Sequence, residues 1–124
     1  MTLTAAFSGA GFPEERRALL LSGDDAGLRD LADRLAARQD GALPVVRKRE
    51  TDAGLSVRLS FCDSEEDERL SAGGAHVILR LSPASAERAR DRTLSLIGQR
   101  TRAFRYLDLR RPAQAAFSVV VVNY

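Results

Sequence analysis

His76 and Cys62 are the only histidine and the only cysteine in the chain, and they narrow the chemistry it can carry. A multi-histidine metal centre is excluded, and any Ser-His-Asp or Cys-His apparatus would rest wholly on His76. The carboxylates that follow Cys62, at Asp63, Glu65 and Glu66, disfavour a thiolate, and a lone cysteine closes no intramolecular disulfide. With no paired nucleophile in its surroundings, His76 reads as a structural or surface residue rather than a catalytic base.

Two charged groups are candidates for binding instead. Asp63, Glu65, Glu66, Asp67 and Glu68 place five carboxylates in six positions. The run lacks the alternating ligands, central glycine and terminal glutamate of a calcium loop, so no metal is expected there. It reads either as a solvated loop or as a partner-binding surface that would steer a basic protein. Strand alternation sets Arg58 on the polar side of one strand and His76 and Arg80, with Ile78, on the polar side of another, an alternative binding face.

Arg88, Arg92, Arg100, Arg102, Arg105, Arg110 and Arg111 are the remaining basic cluster. The only aromatics near them before Tyr124 are Phe104, Tyr106 and Phe117, too few for a base-stacking platform, so nucleic-acid binding is not expected. SGDDAGL at 22–28 has neither dinucleotide-fingerprint nor P-loop spacing, and no cofactor is expected.

The elements that position these residues follow from periodicity. Residues 1–13 read as a lead-in or an edge strand, and 16–22 as a short buried strand ended by Gly23. A helix starts at Ser22-Gly23-Asp24-Asp25, where a side chain can cap the first amides, and Leu28, Leu31, Ala32, Leu35 and Ala36 make its apolar stripe. Asp25 with Arg29 and Asp30 with Arg34 are acid-first pairs on its solvent side, and Gly41 and Pro44 are its expected stop. Val45–Glu50 and Leu55–Phe61 read as a hairpin around 51–54, the acidic run and 71–74 as a loop, and 75–81 as a strand. Ser82-Pro83 opens a second helix carrying Ala86, Ala89, Thr93, Leu96 and Ile97, with Gly98 as its stop. Residues 103–109 and 113–122 read as two strands, and the unalternated FSVVVV as a central one covered on both faces.

The resulting order is about β-α-β-β-β-α-β-β, an α+β fold with two helices on one face of a mainly antiparallel sheet. If 45–50 is only a loop, the first six elements become ferredoxin-like. The sequence shows no internal repeat.

At 124 residues, 44% hydrophobic and 29% charged, the chain has the size and composition of one globular domain. Lys48 is the only lysine among 19 basic residues, as GC-rich bacterial coding favours, and the net charge of +2 implies no strong nucleic-acid field. The opening MTLTAAFSGAGF lacks the basic and long apolar regions of an export signal, and Val119–Val122 is far too short to span a bilayer. The expectation is a cytoplasmic protein with no membrane association.

SGDDAGLRDLADRLAARQ, within about residues 17–40, resembles the opening of small α+β immunity proteins found beside bacterial polymorphic toxins. That resemblance implies a non-enzymatic protein that binds and blocks a cognate toxin. The same stretch is similar to the strand-turn-helix of an ACT domain, which would imply a dimeric small-molecule sensor. A small enzyme built on His76 and arginines ranks third.

Overall fold

The structure is a computed structural model that describes residues 2–8, 18–46, 55–73, 75–99, 103–106 and 118–123. Asp24 caps the first helix, α1 (Asp25–Ala37), accepting the N–H of Thr2 at 3.0 Å and that of Gly27 at 2.7 Å. These backbone donors, Thr2 foremost, hold the Asp24 carboxyl below its ordinary value. Leu28, Leu31, Ala32 and Leu35 of the expected stripe are buried, whereas Ala36, at the edge of the stripe in the last turn, is exposed. The expected Asp30–Arg34 pair forms at 2.8 Å, whereas Asp25 accepts the N–H of Gly98. Arg38, in the left-handed conformation, closes the helix before Gly41 and Pro44 are reached.

Ser82 caps the second helix, α2 (Pro83–Leu94), with proline in the first turn. Its buried side is small, made of Ser85, Ala86, Ala89 and Thr93, and the Thr93 hydroxyl donates back to the Ala89 carbonyl at 2.8 Å. Leu96 continues this face into the core beyond the helix end, which falls at Leu94 rather than at Gly98.

Eight strands accompany the helices among the described residues: β1 (Leu3–Ser8), β2 (Ala18–Gly23), β3 (Gly41–Ala42), β4 (Ser56–Phe61), β5 (Arg69–Gly73), β6 (His76–Leu81), β7 (Phe104–Tyr106) and β8 (Ser118–Asn123). The fold is α+β. Among the described residues the strands form two four-stranded mixed sheets, ordered β1-β2-β8-β7 and β3-β4-β6-β5, where one sheet is expected; the pairing is mainly antiparallel as expected, four of the six strand pairs running so. Two strands account for most of the difference. Residues 71–74 were expected in a loop, yet Arg69–Gly73 pairs along β6; and β4 takes its antiparallel partner from Gly41–Ala42, not from a hairpin arm starting at Val45. The central parallel pairs β2–β8 and β4–β6 also differ from a ferredoxin-like sheet. Residues 47–54, 107–117 and Gly74, on which the rest of the expected hairpin, strands and loop fall, lie outside the described residues.

A repeat invisible in the sequence emerges from this pairing. The chain runs β-β-α-β-β twice, and each sheet holds one hairpin from each half. In both sheets the inner strands pair in parallel with first residue opposite first residue: Ala18 faces Ser118, and Ser56 faces His76. The halves are therefore related by a pseudo-two-fold that equates β2 with β6 and β4 with β8. Over 19–37 and 77–95 only Leu21/Leu79, Ala26/Ala84, Asp33/Asp91 and Arg34/Arg92 are identical.

The core joins both sheets to both helices. Leu19, Leu21, Val119 and Val121 of the first sheet, Val57, Leu59, Val77 and Leu79 of the second, and Leu28, Leu31 and Leu35 belong to one buried cluster. Ala86 and Ala89 let the leucines of α1 approach α2 closely. Val119–Val122 are all buried, as expected for a central strand covered on both faces.

Candidate functional site

The outer face of the second sheet carries the residues that alternation assigned to one surface. On β4 Ser56, Arg58 and Ser60 point away from the core, while Val57 and Leu59 point in. On β6 His76, Ile78 and Arg80 point out, while Val77, Leu79 and Leu81 point in. The parallel register sets Arg58 directly opposite Ile78, with His76 and Arg80 two residues to either side of Ile78 on the same face. Arg58, His76 and Arg80 thus share one surface, and β5 extends it with Arg69 opposite Arg80 and Ser71 opposite Ile78.

The pseudo-two-fold gives this face an internal reference. Leu20 and Val120 occupy the positions equivalent to Ile78 and Arg58 and also lie opposite each other. Val120 is 1% exposed and packs with Val122 and Leu20 in a second buried cluster, so the first sheet is not open at this place. At the equivalent place Ile78 is 42% exposed and Arg58 is exposed. At this place one sheet is apolar and closed; the other is arginine-framed and open.

Among the described residues the side chains of Arg58, His76 and Arg80 have no ion-pair or hydrogen-bond partner. The neighbours of His76 across the strands are Ser56 and Gly73, neither of them a carboxylate. The arrangement offers positive charge and an apolar centre rather than an assembled acid-base pair.

The acidic segment divides. Glu65–Asp67 form a 3₁₀ turn, with Asp63, Glu66 and Asp67 exposed and Glu65 half-buried. Glu68 is 3% exposed, its carboxylate accepting both the N–H and the hydroxyl of Ser82 at the start of α2. Glu68 thus leaves the group of partner-binding candidates: its carboxyl group is turned inward onto Ser82, the N-cap residue of α2. The turn is fixed on its other side by the Cys62 thiol, which donates to the Ser64 carbonyl, by the Ser64 hydroxyl, which donates to Asp67, and by Arg69, whose Nη1 donates to the Glu66 and Glu68 carbonyls. Cys62 is buried and serves that turn.

Of the remaining basic cluster, Arg88 and Arg92 lie on α2 and Arg105 in β7, while Arg100, Arg102, Arg110 and Arg111 fall outside the described residues. No described helix is long and apolar enough to cross a membrane. Comparison with known proteins finds no matching family model, no matching curated protein and no matching solved structure.

Proposed function

We propose that this chain is a non-enzymatic binding protein of the immunity type, which blocks a cognate protein in the bacterial cytoplasm by holding it against the open face of β4, β6 and β5. The observation that carries the reading is the pair Arg58–Ile78: a half-exposed apolar residue set opposite an arginine, at the position where the other sheet carries the buried Val120 opposite a partly buried Leu20. Apolar anchors framed by arginine are the composition of binding hot spots, and residues fixed on paired strands present them with little reorganisation. The anchored turn bearing Asp63, Glu66 and Asp67, between the end of β4 and the start of β5, is a separate acidic surface that a basic region of the same partner can meet.

The test is co-expression with the product of the adjoining gene, read as growth and as complex formation on purified proteins. Ile78→Asp is expected to weaken the complex by at least about thirtyfold, the loss of a central anchor, with an unchanged thermal melt. His76→Ala should retain function within a few-fold. Abolished function in a folded His76→Ala protein, with binding intact, would favour the enzyme reading instead.

A further inference from the structure

We infer that the open face of β4, β6 and β5 takes an acidic protein segment carrying an apolar side chain; this rests on the docking reading above and adds the chemistry of the occupant. Arg58, Arg80 and Arg69 stand on three adjacent strands, and Arg69 is directly opposite Arg80 in the β5–β6 register. Like charges directly opposite on a sheet face oppose folding. Arg58 and Arg80 have no carboxylate partner among the described residues, so the face offers two guanidiniums whose fork geometry suits carboxylates. Ile78 lies between them at the centre, and an apolar group on the partner would bury it. The outward positions of β4 and β6 are Ser56, Arg58, Ser60, His76, Ile78 and Arg80, which lack the stacked aromatics of a nucleic-acid platform. A carboxylate-bearing protein segment satisfies both the charge and the apolar centre.

The experiment uses the full-length ¹⁵N-labelled chain, titrated with a synthetic decapeptide of aspartate and glutamate around a central leucine. A lysine-substituted version of that peptide and a single-stranded oligonucleotide of equal charge are run in parallel. Shift changes are expected to cluster at Arg58, Ile78 and Arg80, to weaken with salt, and to need at least about tenfold more peptide in the Arg58→Gln/Arg80→Gln protein. Ile78→Ser should weaken binding while leaving its salt dependence. Absence of shifts on this face, or equal binding by the double variant, overturns the inference. Binding of the lysine peptide to the same residues leaves the docking face standing and removes the acidic occupant. Tighter binding of the oligonucleotide, or self-association of the free chain abolished by the same arginine changes, assigns the face to another occupant and overturns it as well.

Discussion

Glu68 closes on Ser82 at the junction between β6 and α2, one carboxylate oxygen accepting the N–H at 2.9 Å and also the hydroxyl. The bond ties the residue that precedes β5 to the helix cap fourteen positions later. Glu68→Ala strips two buried donors of their acceptor and is expected to destabilise the fold by about 1–3 kcal/mol. Joint replacement of Asp63, Glu66 and Asp67 by their amides, all on the exposed side of the turn, should stay within about 0.5 kcal/mol. Urea unfolding of the two proteins separates them, and equal stabilities would refute the division of the acidic segment.

The equivalent junction in the first half is built differently. There Asp24 exchanges two hydrogen bonds with the backbone of Thr2, its own N–H donating to the Thr2 carbonyl at 3.2 Å. That close approach explains Gly27: a Cβ built on it would sit 2.0 Å from the Thr2 oxygen. The position equivalent to Gly27 is Ser85, where a side chain is accommodated. Gly27→Ala should therefore lose about 1–3 kcal/mol despite the better helix propensity of alanine, because the strand must move. Ser85→Gly should cost no more than about 1 kcal/mol. A stabilised Gly27→Ala protein in a chemical melt would contradict the packing of Thr2 on α1.

Asp24 also predicts a pH response. Its folded carboxyl lies below the ordinary value of 3.8, so its contribution is complete above that value and is lost as pH falls through the lower folded one. Asparagine can still cap the helix but does not titrate. The stability gap between wild type and Asp24→Asn should thus be widest at neutral pH and shrink on acidification below 3.8. Urea midpoints measured across that range would show it, and a gap independent of pH would argue against the Thr2–Asp24 contact.

The legible parts of this fold are those where a period repeats. Leu28, Leu31 and Leu35 mark α1; Val57 and Leu59, and Val77 and Leu79, mark β4 and β6; and Val119–Val122 mark a strand buried on both faces. β5 was hidden because Leu70 is its single buried residue, leaving Ser71, Ala72 and Gly73 to resemble a loop. The surface holding Arg58, His76 and Arg80 could be read strand by strand, since alternation fixes which side each residue takes. The register that sets Arg58 opposite Ile78 could not, because β4 and β6 pair in parallel around an intervening β5. Nothing local separates Glu68 from Glu65 and Glu66; only the position of Ser82 decides which carboxylate is buried. The repeat escaped for a related reason, as its two helix caps solve the same task with Asp24–Thr2 in one half and Ser82–Glu68 in the other.

The pseudo-two-fold makes a stringent prediction about connectivity. It equates Phe61 with Asn123 and Arg69 with Thr4, so the path from the end of β8 to β1 matches the path from the end of β4 to β5. Cys62–Glu68 span the second path. Tyr124, Met1, Thr2 and Leu3 would supply part of the first, and a Gly-Ser-Gly insert between Tyr124 and Met1 brings the two to equal length. A circular permutant joined in this way, and opened between Asp63 and Ser64, should fold cooperatively because every strand pairing and the Glu68–Ser82 bond are retained. Its stability should fall by no more than a few kcal/mol, the cost of freeing one anchored turn and closing another of similar length. A control permutant opened between Asp30 and Leu31 severs α1 at its buried stripe and should not fold. Circular-dichroism melts of both proteins provide the readout. An unfolded first permutant alongside a folded control would show that the two connections are not equivalent and that the repeat does not extend to the ends of the sheets.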